Sequence, residues 1–358
     1  MSTILQVLTG PNINVDSSLV APGANTTIHT DLIPEAWRPW RGFTYDTIIK
    51  VFRKELSKSY RGSPKPEPLQ EDLRIFNEEV FDDLLRRFEM PIVNYALSGH
   101  DGMCHYGRGS RCGTEYKPDW SLVSANHLDQ NRYFTNLVPG DTKLHAKWRP
   151  EMQQDGVDSH HIEWQKVVTQ IVTYMACHRS RYGFVITDGN LVVFRLTRKS
   201  IPSGIAAARP RRTPAMHVRY PSDVSGASGN SSFADEDPLD WAYDDPEYVA
   251  IPWSAYGVGR LSVKLALWAL AMMAANGDNS LGYWYPGLNT WRPAVKGYIH
   301  STSGATTNKL DGKDKLEGHN PAGGEGASGG YGSTGNVQEE ATPEGGLGDG
   351  NNDKYENR

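Results

Sequence analysis

An α/β fold is predicted by three features of the chain: two helical patterns near the N-terminus, two strand-rich stretches, and a long helical pattern between those stretches. Apolar residues recur every three to four positions in the helical segments, whereas β-branched and aromatic residues cluster in short runs in the others.

The elements follow in order. Residues 1–36, with scattered Gly, Pro, Ser and Asn, read as an irregular N-terminal arm. A first helix is expected at 44–59, with Ile48, Ile49, Phe52 and Leu56 on one face. SPKPEP at 63–68 breaks the pattern. A second helix is expected over about 69–98, bent or split by Pro91. Residues 99–117 are Gly-rich and carry Cys104 and Cys112. WSLVSA at 120–125 and YFTNLV at 133–138 form the first expected hairpin, its second strand continuing into GDTKLHAKW. Residues 160–180 predict a strong helix, and 182–198 a second hairpin turning at Asp188-Gly189-Asn190. The stretch 200–247 has the composition of a polar insertion or loop. A core helix returns at 258–275. Its apolar stretch at 261–275 is interrupted by Lys264 and too short for a membrane span, so no membrane partner is expected. Residues 301–358, with 14 Gly and many acids, are expected to be a disordered tail, open to a protein partner. The folded domain is then 37–300.

Charge and thiol content bound the function. The tail holds five Lys/Arg against ten Asp/Glu, which accounts for the chain's whole net charge of −5 and leaves residues 1–300 neutral by count. That balance lacks the basic excess of a strong, non-specific DNA binder, though a local patch is still compatible with it. Three cysteines fit a reducing compartment, nuclear or cytoplasmic, and the N-terminus has no signal-peptide pattern.

The chemistry-bearing set is Asp119, at the start of the first strand of the hairpin, with Asp141 and Lys143 on the second. Acids on neighbouring strands can face one hard divalent ion such as Mg²⁺, which takes one or two carboxylates and keeps several waters. Strand side chains alternate, so a lysine two positions past an acid shares its face and can orient water or offset developing charge. Lys143 is therefore expected to serve the chemistry and not the packing.

The order of helix, strand, strand with Asp-x-Lys, helix and strand resembles the PD-(D/E)XK nuclease superfamily. The segment QIVTYMACHRSRYGFVITDGNLVVFRL, 170–196, is similar to the fungal branch of that superfamily. The resemblance covers about residues 70–200. It implies a restriction-endonuclease-like core, a mixed central sheet flanked by helices. It also implies a Mg²⁺- or Mn²⁺-dependent nuclease acting on nucleic acid, DNA foremost. Asp119 and Asp141 would hold the metal, Lys143 would assist water or phosphate, and Gln170 would support the site. An upstream helical acid would complete the metal shell, with Glu78 the candidate and Glu79 the alternate. Two departures stand out: the second acid is Asp where Glu is commoner, and 21 residues separate the two acids. Superfamily members that lost catalysis make a silent module binding protein or nucleic acid the alternative.

Other groups are weighed beside this set. His100, Cys104, His105 and Cys112 suggest either a zinc site or a loop with incidental thiols. Tyr174 shares a helix face with Gln170 and reads as packing, Gln165 as exposed, Cys177 as a buried thiol, and His160-His161 as an exposed pair. Arg209, Arg211 and Arg212 read as a solvated loop, a nuclear import signal or a phosphate contact.

Overall fold

The structure, a computed structural model, describes residues 2–25, 32–62, 67–99, 104–200 and 237–317. Its elements are α1 (Ile4–Leu8), β1 (Arg38–Pro39), α2 (Tyr45–Val51), α3 (Arg53–Leu56), α4 (Glu78–Leu84), α5 (Met90–Leu97), β2 (Cys104–Arg108), β3 (Trp120–Ser124), β4 (Pro139–Thr142), α6 (Asp158–Cys177), β5 (Tyr182–Ile186), β6 (Asn190–Arg195), β7 (Glu247–Pro252), α7 (Val263–Asn276), β8 (Trp291–Pro293), β9 (Tyr298–His300) and β10 (Thr306–Thr307). The fold is α/β, with a seven-stranded mixed sheet in the order β1-β7-β6-β5-β4-β3-β2 between helices. Only β1/β7 and β4/β5 are parallel. The second of these pairs needs a crossover, which α6 supplies.

Strand alternation sorts side chains onto two faces. Tyr182, Phe184, Ile186, Leu191 and Val193 join one core with α5 and α7, while Val185, Val192 and Phe194 join another with Trp164, Val167, Ile171 and Met175 of α6. Helix α7 is apolar on all sides apart from Lys264 and Asn276, and it is buried from Val263 to Ala274.

The 182–198 hairpin, the 160–180 helix and the core helix are present, with changes at their edges. Of the first hairpin β3 stands where expected, but 133–138 forms only an isolated bridge at Phe134, and the partner strand is Pro139–Thr142. The 44–59 helix is interrupted at Phe52, whose buried ring takes the backbone out of helical geometry (φ −115°, ψ 25°). The 69–98 helix starts only at Glu78, where the Asn77 side chain accepts a hydrogen bond from Val80 N at 2.8 Å. Pro91 does not split that helix. A π-helical turn at Leu85–Glu89 widens the coil directly before it, where the proline ring would otherwise crowd a carbonyl four residues back. The N-terminal arm contains α1, whose Thr3 and Gln6 form a capping box, and it buries Ile4, Leu8 and Ile13. Strand β2 lies within the Gly-rich stretch, and β7 begins inside the range read as an insertion. Residues 201–236, with Arg209, Arg211 and Arg212, lie outside the described residues. Residues 301–317, expected within the tail, continue a three-stranded sheet in the order β10-β9-β8; the rest of the tail is outside the described residues.

Candidate active site

The site is built by strand register. Trp120 pairs with Gly140 across the antiparallel β3/β4 ladder, so Asp119 falls opposite Asp141, on the same face. Directly opposed residues hold their Cβ atoms roughly 5 Å apart. Lys143, two residues on, shares that face, and its backbone N–H donates to Ile186 O at 3.0 Å, so the strand geometry continues through it. The Lys143 ammonium forms an ion pair with the Asp141 carboxylate. Gly140 makes this register possible, because a Cβ there would lie 2.1 Å from the Phe184 ring.

Asp141 is 2% exposed and Lys143 6%, whereas Asp119 is open to solvent. Burial pushes the Asp141 carboxyl up to about 7, against the pull of Lys143 and with the push of Asp119 beside it. Burial also draws the Lys143 ammonium down, but Asp141, Glu78 and Asp119 outweigh it and hold the group above its ordinary value. The Asp119 carboxylate is fixed by the Thr142 N–H, which donates to Oδ2 at 2.9 Å.

Helix α4 closes the site from one side. Thr142 Oγ1 accepts from Trp120 Nε1 at 2.8 Å and donates to Asp82 Oδ1 at 3.3 Å. Arg86, one turn on, holds Asp82 at 2.7 Å, donates to the Asp119 carbonyl at 3.1 Å and stacks over Trp120 at 4.1 Å. Asp82 and Arg86 thus strap both acid-bearing strand ends to one helix. Sequence patterning gives no sign of this, since the strap depends on where α4 and the π-helical turn after it dock. Glu78 reaches the rim, where it pairs with Lys147 at 3.4 Å and adds to the field on Lys143; Glu79 is exposed.

Helix α6 backs the site. Gln170 is buried and donates from Nε2 to Tyr174 Oη at 3.0 Å. Tyr174 packs in the α6 core as expected, and burial first, then Asp141, pushes its hydroxyl up to about 12. The structure thus brings together Asp119, Asp141, Lys143 and Tyr174, with Gln170 held behind through Tyr174.

As a metal centre, the donor set is two converging carboxylates, one buried and one open. That suits a Mg²⁺-like ion, which retains its waters. Among the described residues no group of three or more His, Cys, Asp and Glu gathers as a protein-only cage. The zinc alternative also lacks geometry. Cys104 and His105 are neighbours on β2, so they face opposite sides of the sheet. His105 is engaged by Arg111, burial pushes the Cys104 and Cys112 thiols up to about 11, and His100 is outside the described residues. His160 pairs with Asp155 at 2.6 Å, and the His161 ring stacks on Trp164. No family model matches the chain, and no curated protein or solved structure matches it.

Proposed function

We propose that this protein is a Mg²⁺- or Mn²⁺-dependent nuclease of the PD-(D/E)XK kind, built on a restriction-endonuclease-like core and hydrolysing phosphodiester bonds in nucleic acid, with DNA the first substrate to test. The observation that carries the reading is the register that sets Asp119 opposite Asp141 with Lys143 on the same face. Asp119 and Asp141 would hold the cation, with Glu78 at the rim as a further carboxylate. A bound divalent cation supplies Lewis-acid stabilisation and a more acidic water.

The chain's own groups divide the remaining work. Lys143 is held above its ordinary pKa, so it stays an ammonium at neutral pH and does not take a proton from water. Its role is to stabilise negative charge that builds on the phosphate. The Thr142 N–H orients Asp119, and the strap from Asp82 through Thr142 keeps the two strand ends together. Gln170 and Tyr174 wall the buried side. No described helix is long and apolar enough to cross a membrane.

A second reading, a catalytically silent module of the same fold binding protein or nucleic acid, is favoured by one observation. Asp141 is buried and already paired, so an arriving cation meets an open carboxylate only at Asp119. Cleavage of single-stranded, duplex and structured DNA with Mg²⁺ or Mn²⁺ tests the nuclease reading, with Asp141→Ala as control. Metal-dependent cleavage lost in the variant is expected; no cleavage on any substrate, or equal cleavage by Asp141→Ala, overturns it. Mn²⁺ calorimetry with and without Asp119→Asn separates the silent module, which is expected to bind no metal.

A further inference from the structure

Beyond the acids, the sheet end near the C-terminus of α6 carries a set of cations stacked on aromatic rings. Arg181 and Arg195 lie over Tyr285 at 3.9 Å and 5.5 Å, but each is matched by a carboxylate, Asp278 at 3.3 Å and Glu247 at 2.6 Å. Arg198 differs. Its guanidinium lies 3.7 Å from the Trp241 ring and 4.6 Å from the Tyr283 ring. Its Nε is buried without an acceptor, and no described residue gives its side chain an ion pair or hydrogen bond. Asp240, Asp244 and Asp245, the nearest acids along the chain from Trp241, form no ion pair with Arg198 or Lys199 among the described residues. A guanidinium that rests on aromatic rings keeps the N–H groups in its own plane for an acceptor, and such groups can grip a phosphate through two bonds. Lys199 is exposed beside it, and Tyr283 and Trp284 are 54% and 40% exposed, leaving π-surface for a base.

This patch shares a core with the chain segment that leads into the candidate site. Trp241 and Tyr243 pack on the same core as Tyr116, whose carbonyl lies 3.2 Å from His178 Nε2 and which stands three residues before Asp119. Arg179, over the Trp241 ring at 5.5 Å, lies just past the C-terminal end of α6, the helix that carries Tyr174.

We propose that Arg198, resting against Trp241 and Tyr283, grips a backbone phosphate of single-stranded nucleic acid, with Tyr283 and Trp284 stacking its bases, on a track that leads past Arg179 to Asp119. The choice of nucleic acid as partner rests on the nuclease reading, and the single-stranded form rests on the exposed rings, which a base-paired duplex cannot stack upon.

The test is fluorescence anisotropy of the full chain in EDTA, where cleavage cannot interfere, using a labelled oligothymidine of about 20 nucleotides and a duplex of equal length. Arg198→Ala is expected to weaken oligothymidine binding on the order of tenfold and to lower the salt slope by about 1. Arg198→Lys should not restore it. Tyr283→Ala, at an exposed position where folding is safe, is expected to weaken binding by about fivefold or more. Melting curves check that each variant is folded. Binding within about twofold of the unaltered chain in both alanine variants, or none by that chain, overturns the clamp. So does tighter binding of an acidic peptide, which would make the partner a protein. If these binding changes hold while no cleavage is ever seen, the nuclease reading fails and the clamp stands. If Asp141-dependent cleavage persists with unchanged oligothymidine binding, the reverse is true.

Discussion

At the scale of single residues, Lys143 carries two duties that strand alternation alone does not separate. Under the proposed nuclease reading it would stabilise charge on a phosphate, and in the fold it is the ion-pair partner of a carboxylate that is only 2% exposed. The expectation that it serves chemistry and not packing is therefore half of the account. Lys143→Ala should lower the cleavage rate on the order of 10²–10³, the usual loss for one preorganised stabilising group. It should also lower the melting temperature in EDTA, since removing one partner of a buried pair typically costs about 3–5 kcal/mol. The cost falls below that range here, because the Asp141 carboxyl, already pushed up to about 7, can take a proton when its cation is lost. Mn²⁺ should recover part of the loss by replacing the missing positive charge. A variant that melts in EDTA with the unaltered chain would show that the ion pair contributes nothing to the fold. The residue types at this site were legible because Asp119, Asp141 and Lys143 sit in strand patterns of their own. Asp82 and Arg86 were not, because nothing local in α4 or the π-helical turn after it says which polar side chains will meet β3 and β4.

At the scale of elements, legibility followed periodicity. Helix α6 and the β5/β6 hairpin stand out because long runs of β-branched and aromatic residues repeat at one period. Strand β2, Cys-His-Tyr-Gly-Arg, does not, since glycine and charge break its alternation and only pairing with β3 makes it a strand. Strand β7 has an apolar run, Tyr248 to Ile251, but it follows a long polar stretch whose composition hides it. Lys264 shows how one charge changes meaning once elements pack. In the sequence it interrupts an apolar run; in the fold its ammonium donates to Pro11 O at 2.9 Å and Asn12 Oδ1 at 2.8 Å and pairs with Glu89 at 3.1 Å. Glu89, in the π-helical turn, also accepts from Ile13 N at 2.7 Å. These contacts fasten the N-terminal arm to α5 and α7. Lys264→Ala should destabilise the protein by about 3–5 kcal/mol, because it strands the Glu89 carboxylate in the core. The double change Lys264→Met with Glu89→Gln should cost markedly less. Urea denaturation of both variants checks this, and equal losses would mean that the arm contacts, not the stranded charge, set the cost.

At the scale of the whole molecule, composition marks where the tail begins less accurately than packing does. Gly and acid content place that boundary at 301, yet residues 301–317 are part of the folded unit. Trp291 N donates to Lys315 O at 2.8 Å, and Glu317 N returns to Trp291 O at 2.9 Å. Ser301 also bonds the Glu317 carboxylate, and Thr302 is buried. Ser303 N donates to His300 Nδ1 at 3.2 Å, a bond that needs the neutral ring and fits a histidine pushed down to about 4 by burial. The segment also closes the end of α7. A Cβ on Gly304 would lie 2.8 Å from Asn276 O, so the chain passes against the last turn of that helix, and glycine alone suits its φ of 68°. Two truncations separate the readings. A chain ending at His300 should melt several degrees below one ending at Glu317, since each kcal/mol lost shifts the midpoint by about 2–4 °C in a domain of this size. The shortened chain should also gain amide exchange at Trp291 and along the last turn of α7, because the backbone partners of Trp291 and the cover over Asn276 are gone. Equal melting temperatures would return residues 301–317 to the tail and leave the β8/β9 pair to hold that end of the core unaided.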